Sequence, residues 1–292
     1  MKEKNNNIVK KSNAFIENAR YELTITQQKL ILFVMCMVRV EDDDFKTYVI
    51  PVSEIMERMG VSDSLYSRIK TESRDLMKKV FTIEEKNAAG KKVQTTLSWF
   101  SSIQYVEGSG SVQVRFDPGL KPYLLHLKGC FTTYMLDYIL PMRSSYSVRI
   151  YEYLKMELAF HHKKDFTLEE FKAFLQIDTK PAFEQYGNIK ARILLPAIKE
   201  INKNTDIQII RFKEKKRSRK IIGFTLIFGL KPSQEREVIH NNYRAMKSIR
   251  NMRDTNWIEN CHFFTFLYNK KITRYASAGS FCALKRHWIP SV

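Results

Sequence analysis

The chain has 292 residues, 44% of them hydrophobic, with a formal net charge of +18 and a pI near 9.6. That length suits two ordinary domains with a core each, and so large an excess of cations fits a protein that displaces counterions from a polyanion better than a metabolic enzyme. No apolar run reaches the length of a membrane-spanning helix, which sets a membrane partner aside.

Residues 1 to about 20 read as a polar arm, and the stretch 1–11 lacks the apolar segment of a secretory signal. Cys36, Cys130, Cys261 and Cys282 are far apart and form no CxxC pair, so reduced thiols in a bacterial cytoplasm are expected, and no metal. Residues 24–40 predict an apolar helix capped by Thr24 or Thr26. An acidic turn at 41–44 and a short strand at 48–52 follow.

The stretch 53–81 has the outline of a helix-turn-helix. Ser53 can cap a helix carrying Ile55, Met56 and Met59, Gly60 supplies the turn, and Ser62 can cap the next helix. On that second helix Leu65, Ile69, Leu76 and Val80 recur at helical spacing and should face the core. Ser64, Ser67, Arg68, Thr71, Arg74 and Lys78 are left outside, a basic and hydroxylic face suited to the DNA major groove; a merely solvated face is the plainer alternative.

Strands are predicted at 81–85, 93–100 and 103–116, the last interrupted at 108–110, with a glycine-containing tip at 87–92. A hairpin directly after a recognition helix is read as a wing, with Lys91 and Lys92 on the DNA backbone. The proline-bearing stretch 117–128 is expected to link two halves.

The second half repeats the order. It has a strand at 131–134, a helix at 145–160, and a capping box of Thr167 with Glu170 opening a helix with Leu168, Phe171, Phe174 and Leu175 as its apolar stripe. A longer helix near 186–203 buries Ile189, Ile193, Ala197, Ile198 and Ile201 and leaves Asn188, Lys190, Arg192, Lys199 and Lys203 available. Pro196 predicts a kink or a second helical piece. Strands at 207–213 and 220–230 flank a basic tip with Lys215, Lys216, Arg217 and Arg219.

Helix, strand, helix, helix and hairpin thus occur twice at an offset of roughly 120 residues, which fits a duplicated domain. The expected architecture is α+β: tandem winged-helix domains at 1–125 and 126–232, with a basic, aromatic extension at 233–292.

No chemistry is expected. His161 and His162 are adjacent, not the spaced pair a metal-dependent nicking site needs, and read as a helix end. There is no GxxxxGK[ST] loop for ATP. No catalytic residue, metal or cofactor is predicted.

Over residues 8 to 230 the chain resembles the replication initiator proteins of theta-replicating, iteron-bearing plasmids. The landmarks are Val9-Lys10-Lys11-Ser12-Asn13 with Ala14, the run Leu23-Thr24-Ile25-Thr26-Gln27-Gln28-Lys29, then Ser144-Ser145-Tyr146-Ser147-Val148-Arg149-Ile150-Tyr151-Glu152, Phe166-Thr167-Leu168-Glu169-Glu170-Phe171 and Gly223-Phe224. The resemblance implies binding to direct repeats in duplex origin DNA, opening of an adjacent AT-rich region, and recruitment of the host initiator and helicase. It also implies a monomer–dimer equilibrium, with dimers formed through the first domain repressing the protein's own promoter. A winged-helix repressor without initiator activity and a rolling-circle nicking enzyme stand as the alternatives.

Overall fold

A computed structural model of the chain describes residues 7–39, 42–59, 66–106, 110–127 and 129–232. It opens with strand β1 (Ile8–Ser12), helix α1 (Asn13–Asn18) and the short strand β2 (Ala19–Arg20). Ser12 caps α1 by accepting from the Phe15 N–H at 3.1 Å, and Val9, Phe15, Ile16 and Ala19 are buried. The arm expected at 1 to about 20 is therefore corrected from residue 8 onward. Pieces this short carry too few apolar positions to show a period.

Helix α2 (Ile25–Met35) begins at a capping box in which Thr24 and Gln27 satisfy each other's backbone N–H, and residues 26–35 are all buried. Strand β3 (Tyr48–Pro51) runs directly into α3 (Val52–Met59), so Ser53 lies within the helix instead of capping it. Helix α4 (Tyr66–Leu76) buries Ile69, Ser73 and Leu76. Gly60, Ser62 and Leu65 lie outside the described residues. Val80, expected in the core, opens strand β4 (Val80–Lys86) and is 57% exposed, because strand alternation has replaced helical spacing by that point.

Strand β4 pairs on one side with β2 and on the other with β5 (Lys92–Ser98). A second hairpin, β6 (Phe100–Val106) with β7 (Ser111–Phe116), adds β3 along β7 to give the order β3-β7-β6. The expected linker is packed: Leu120 in the 3-10 turn Pro118–Leu120, Leu124 at the end of α5 (Lys121–Leu124), and Leu125 are buried. Strand β8 (Phe131–Met135) then runs antiparallel to β1, more than a hundred residues earlier in the chain.

The second half carries α6 (Ser145–Glu157), β9 (Lys163–Thr167) and α7 (Leu168–Leu175), the last opened by the expected Thr167–Glu170 capping box. The long helix is three pieces in one run: α8 (Tyr186–Ile189), a π-helical turn (Lys190–Leu194) and α9 (Leu195–Asn204). Pro196, in the first turn of α9, has no N–H to donate and a ring that crowds the carbonyl four residues back; the wider π turn makes room for it. The extra residue in that turn buries Ile193 and Leu194 consecutively. Strands β10 (Ile207–Arg217) and β11 (Lys220–Leu230) close the domain in the order β10-β11-β9.

The two halves share one topology. In each, a strand, two helices and a hairpin follow one another, and the strand before the helices pairs with the second strand of the hairpin: β3 with β7, β9 with β11. Both are winged-helix domains. The correspondence makes β6–β7 the first domain's wing and corrects the expectation that the hairpin after the recognition helix is that wing: β4–β5 is an inserted hairpin on a separate sheet with β2.

An aromatic cluster fills the first domain around Phe15, whose ring lies 5.6 Å from that of Phe81 and 5.9 Å from that of Trp99. In the second, Phe166, Phe171 and Phe224 pack together. Between them the buried Arg149 guanidinium lies 4.0 Å from the Tyr21 ring centre and 4.6 Å from that of Phe174, and donates to the Ala19 and Phe174 carbonyls at 2.9 and 3.1 Å.

Candidate nucleic-acid interface

In the first domain Thr71, Arg74 and Lys78 are exposed at i, i+3 and i+7, on one side of α4 and its end. Lys78 Nζ is 3.1 Å from the Asp75 carboxylate, so its charge is shared with an acid on the same helix. An open groove of about 420 Å³ beside this face is lined by Thr24, Gln27, Thr71, Glu72, Asp75, Lys78 and Lys79. Tyr105 on β6 donates to the Ile69 carbonyl at 3.3 Å, tying α4 to the wing sheet. Ser64 and the side chains of Ser67 and Arg68 lie outside the described residues.

Lys91 and Lys92 are exposed at the tip of β4–β5. Asn87 organises that tip: its side-chain oxygen accepts from the Ala89 and Lys91 N–H groups at 3.1 and 2.9 Å, and Gly90 takes a φ of +74°. Because this hairpin is not the wing, these lysines lie on a different sheet from β6–β7.

The second domain is the more completely assembled. Ile189, Ile193, Ala197 and Ile201 are buried as expected, and Ile198 is partly buried. Arg192, Lys199 and Lys203 are exposed and Asn188 is half-buried. Lys190, expected to be available, is instead 2.8 Å from Glu214 on β10, and Tyr186 donates to the same carboxylate at 3.1 Å. The Lys190 ammonium holds the Glu214 carboxyl below the usual range, while burial pushes the Tyr186 hydroxyl up. Glu214 thereby clamps the start of the recognition helix to the wing. Spacing along a helix cannot reveal a partner that comes from another element.

The wing itself carries exposed Lys215, Lys216, Arg217 and Arg219, with Ser218 at φ +55° in the turn. Lys215 lies 2.9 Å from Asp165 on β9, whose carboxyl the Thr225 hydroxyl and Lys215 hold down at about 2. Lys163 lies 3.3 Å from the same carboxylate, so Asp165 bridges two lysines and compensates the wing's Lys215 in part. Sequence reasoning gave no role to Leu195, which is 47% exposed on the same outward side as Arg192 and Lys199.

His161 follows α6 with Nδ1 3.1 Å from Glu157, and among the described residues no three of His, Cys, Asp and Glu gather as metal ligands. Among them, too, no helix is long and apolar enough to cross a membrane. What the surface offers is two helices set on small sheets, each with cations turned outward. That can neutralise phosphates and read base edges.

Comparison with known proteins gives the same picture. Residues 8–155 match the family described as "Initiator Replication protein, WH1", and residues 167–228 match "Initiator Rep protein, WH2". A "Replication initiation protein" of Escherichia coli is 26% identical over 201 residues, covering 66% of this chain and 61% of that protein, less than two thirds of the relative's length. Among solved structures, "Crystal structure of Pi initiator protein in complex with iteron DNA" superposes with a TM-score of 0.62 at 18% identity, covering 79% of this chain and 100% of that one. The first match runs past β8 and ends within α6.

Proposed function

Because the chain belongs to the replication initiator (Rep) family, we propose that it starts plasmid replication by binding direct repeats, or iterons, in the duplex DNA of an origin. The observation that carries this reading is the doubled topology: two winged-helix domains, each with an outward basic helix, suit a target of about two helical turns. The Pi initiator, alike in fold, was solved with iteron DNA.

In this reading α4 and the run α8–α9 enter major grooves. Ser64, Ser67, Arg68, Thr71 and Arg74 serve the first, and Asn188, Arg192, Lys199 and Lys203 the second. Lys78, Lys91, Lys92, Lys216, Arg217 and Arg219 meet phosphates, with Lys190 and Lys215 held back by their acidic partners. The protein performs no chemistry of its own. Binding energy and DNA bending strain the adjacent AT-rich DNA, and recruited host initiator and helicase complete the opening. Dimers made through the first domain repress the protein's promoter in the cytoplasm; the basic, aromatic stretch 233–292 lies outside the described residues.

Selection of bound duplexes from a random pool should return a repeat spanning about two turns. Replacing Arg68 and Arg74, or Arg192 and Lys199, with alanine should shorten the footprint from one end each. A single short half-site, or full protection by both variants, would overturn the reading.

A further inference from the structure

We infer that Leu195 is a specificity residue that reads the C5-methyl group of thymine in the major groove; this rests on the initiator reading above. Along the run α8–α9, Ala191, Arg192, Leu195 and Lys199 are exposed and Asn188 is half-buried, all on the side away from the buried core positions of the same run. On that face a leucine is the odd member. It is 47% exposed between cations, and the long core side of the same run is already filled by Ile189, Ile193, Leu194, Ala197 and Ile201.

A single exposed leucine is ordinary on a protein surface. On a helix that enters a groove it is not neutral, because the groove floor it approaches is polar except where thymine places a methyl. Ala191, one turn earlier, is small enough to let the helix sit close. The Glu214 clamp fixes Lys190 and Tyr186 to the wing and so sets the roll of the helix about its axis before DNA arrives. Asn188 and Arg192 then supply the hydrogen-bonding side of the readout, to adenine and guanine, and Leu195 the apolar side.

The test uses the full chain and the repeat returned by selection, at one fixed salt concentration. Each thymine is replaced in turn by deoxyuridine, which pairs identically and lacks only the methyl. At one or two positions the wild-type protein should bind roughly fourfold more weakly, the loss of about 0.8 kcal/mol that one methyl-sized apolar contact carries. Leu195→Ala should bind the thymine duplex weaker by a similar factor and show no further loss with deoxyuridine at those positions. Leu195→Met, which keeps the apolar volume, should retain the loss. Circular dichroism melting checks that both variants fold.

A flat uridine scan on a tightly bound repeat, or an undiminished loss in Leu195→Ala, overturns this inference and leaves the initiator reading standing. Failure to bind any repeat removes both.

Discussion

Lys11 and Glu152 are each 2% exposed, 2.6 Å apart, and come from opposite ends of a 141-residue span. The Tyr134 hydroxyl donates to the same carboxylate oxygen. A charge in that setting is tolerable only with its partners in place, since removing one leaves the other desolvated and unpaired. Glu152→Ala should therefore cost about 3–5 kcal/mol in urea denaturation. Glu152→Gln should cost less, because an amide oxygen still accepts from both donors. Equal losses would mean that the missing charge, and not packing or hydrogen bonding, accounts for the whole cost at this site. Arg149 follows the same logic with carbonyls and ring faces as its partners. Both residues belong to α6, a helix whose sequence shows helical periodicity but not which of its polar residues turn inward.

Gly223 shows how narrowly two strands are matched. A Cβ there would stand 2.2 Å from the Phe166 carbonyl oxygen, a backbone atom that cannot swing aside. Gly223→Ala should part β9 from β11 near the Gly223–Thr167 and Phe224–Phe166 pairs and lower stability by about 3 kcal/mol, read as a fall in the urea midpoint. An unchanged midpoint would contradict that register.

Much of this architecture is legible in the residues. A threonine at 24 or 26 and the capping box at Thr167 mark helix starts, alternation marks the hairpins, and Pro196 marks the break in the long helix. The wing of the first domain was misread because chain order alone cannot distinguish an inserted hairpin from the one β3 pairs with; β4–β5 and β6–β7 alternate equally well. Val80 and the Ser53 cap failed where helical and strand periods meet within a residue or two. At the interface, outward cations were legible by spacing, whereas Lys190 and Lys215 were not, because their acidic partners arrive from β10 and β9.

The whole molecule carries a formal charge of +18, and its binding to duplex DNA should weaken steeply with salt. With about 6–10 phosphates neutralised, affinity should fall roughly 10³- to 10⁵-fold between 50 and 200 mM salt. Replacing Lys215, Lys216 and Arg217 with alanine should flatten the slope of log K against log salt by about 2 and not 3 units, because Asp165 holds Lys215 in an ion pair that it shares with Lys163. A drop of about 3 would mean that DNA pulls Lys215 away from Asp165.

The ladder between β1 and β8 has a consequence for synthesis. A ribosome makes Ile8–Ser12 more than a hundred residues before Phe131–Met135, and Glu152 later still. Until residue 135 is made the nascent first domain has an unpaired strand, and until residue 152 it has Lys11 without its acid. A truncated translation product ending near residue 125 would thus lack both β8 and Glu152, and with them the partners of β1 and Lys11.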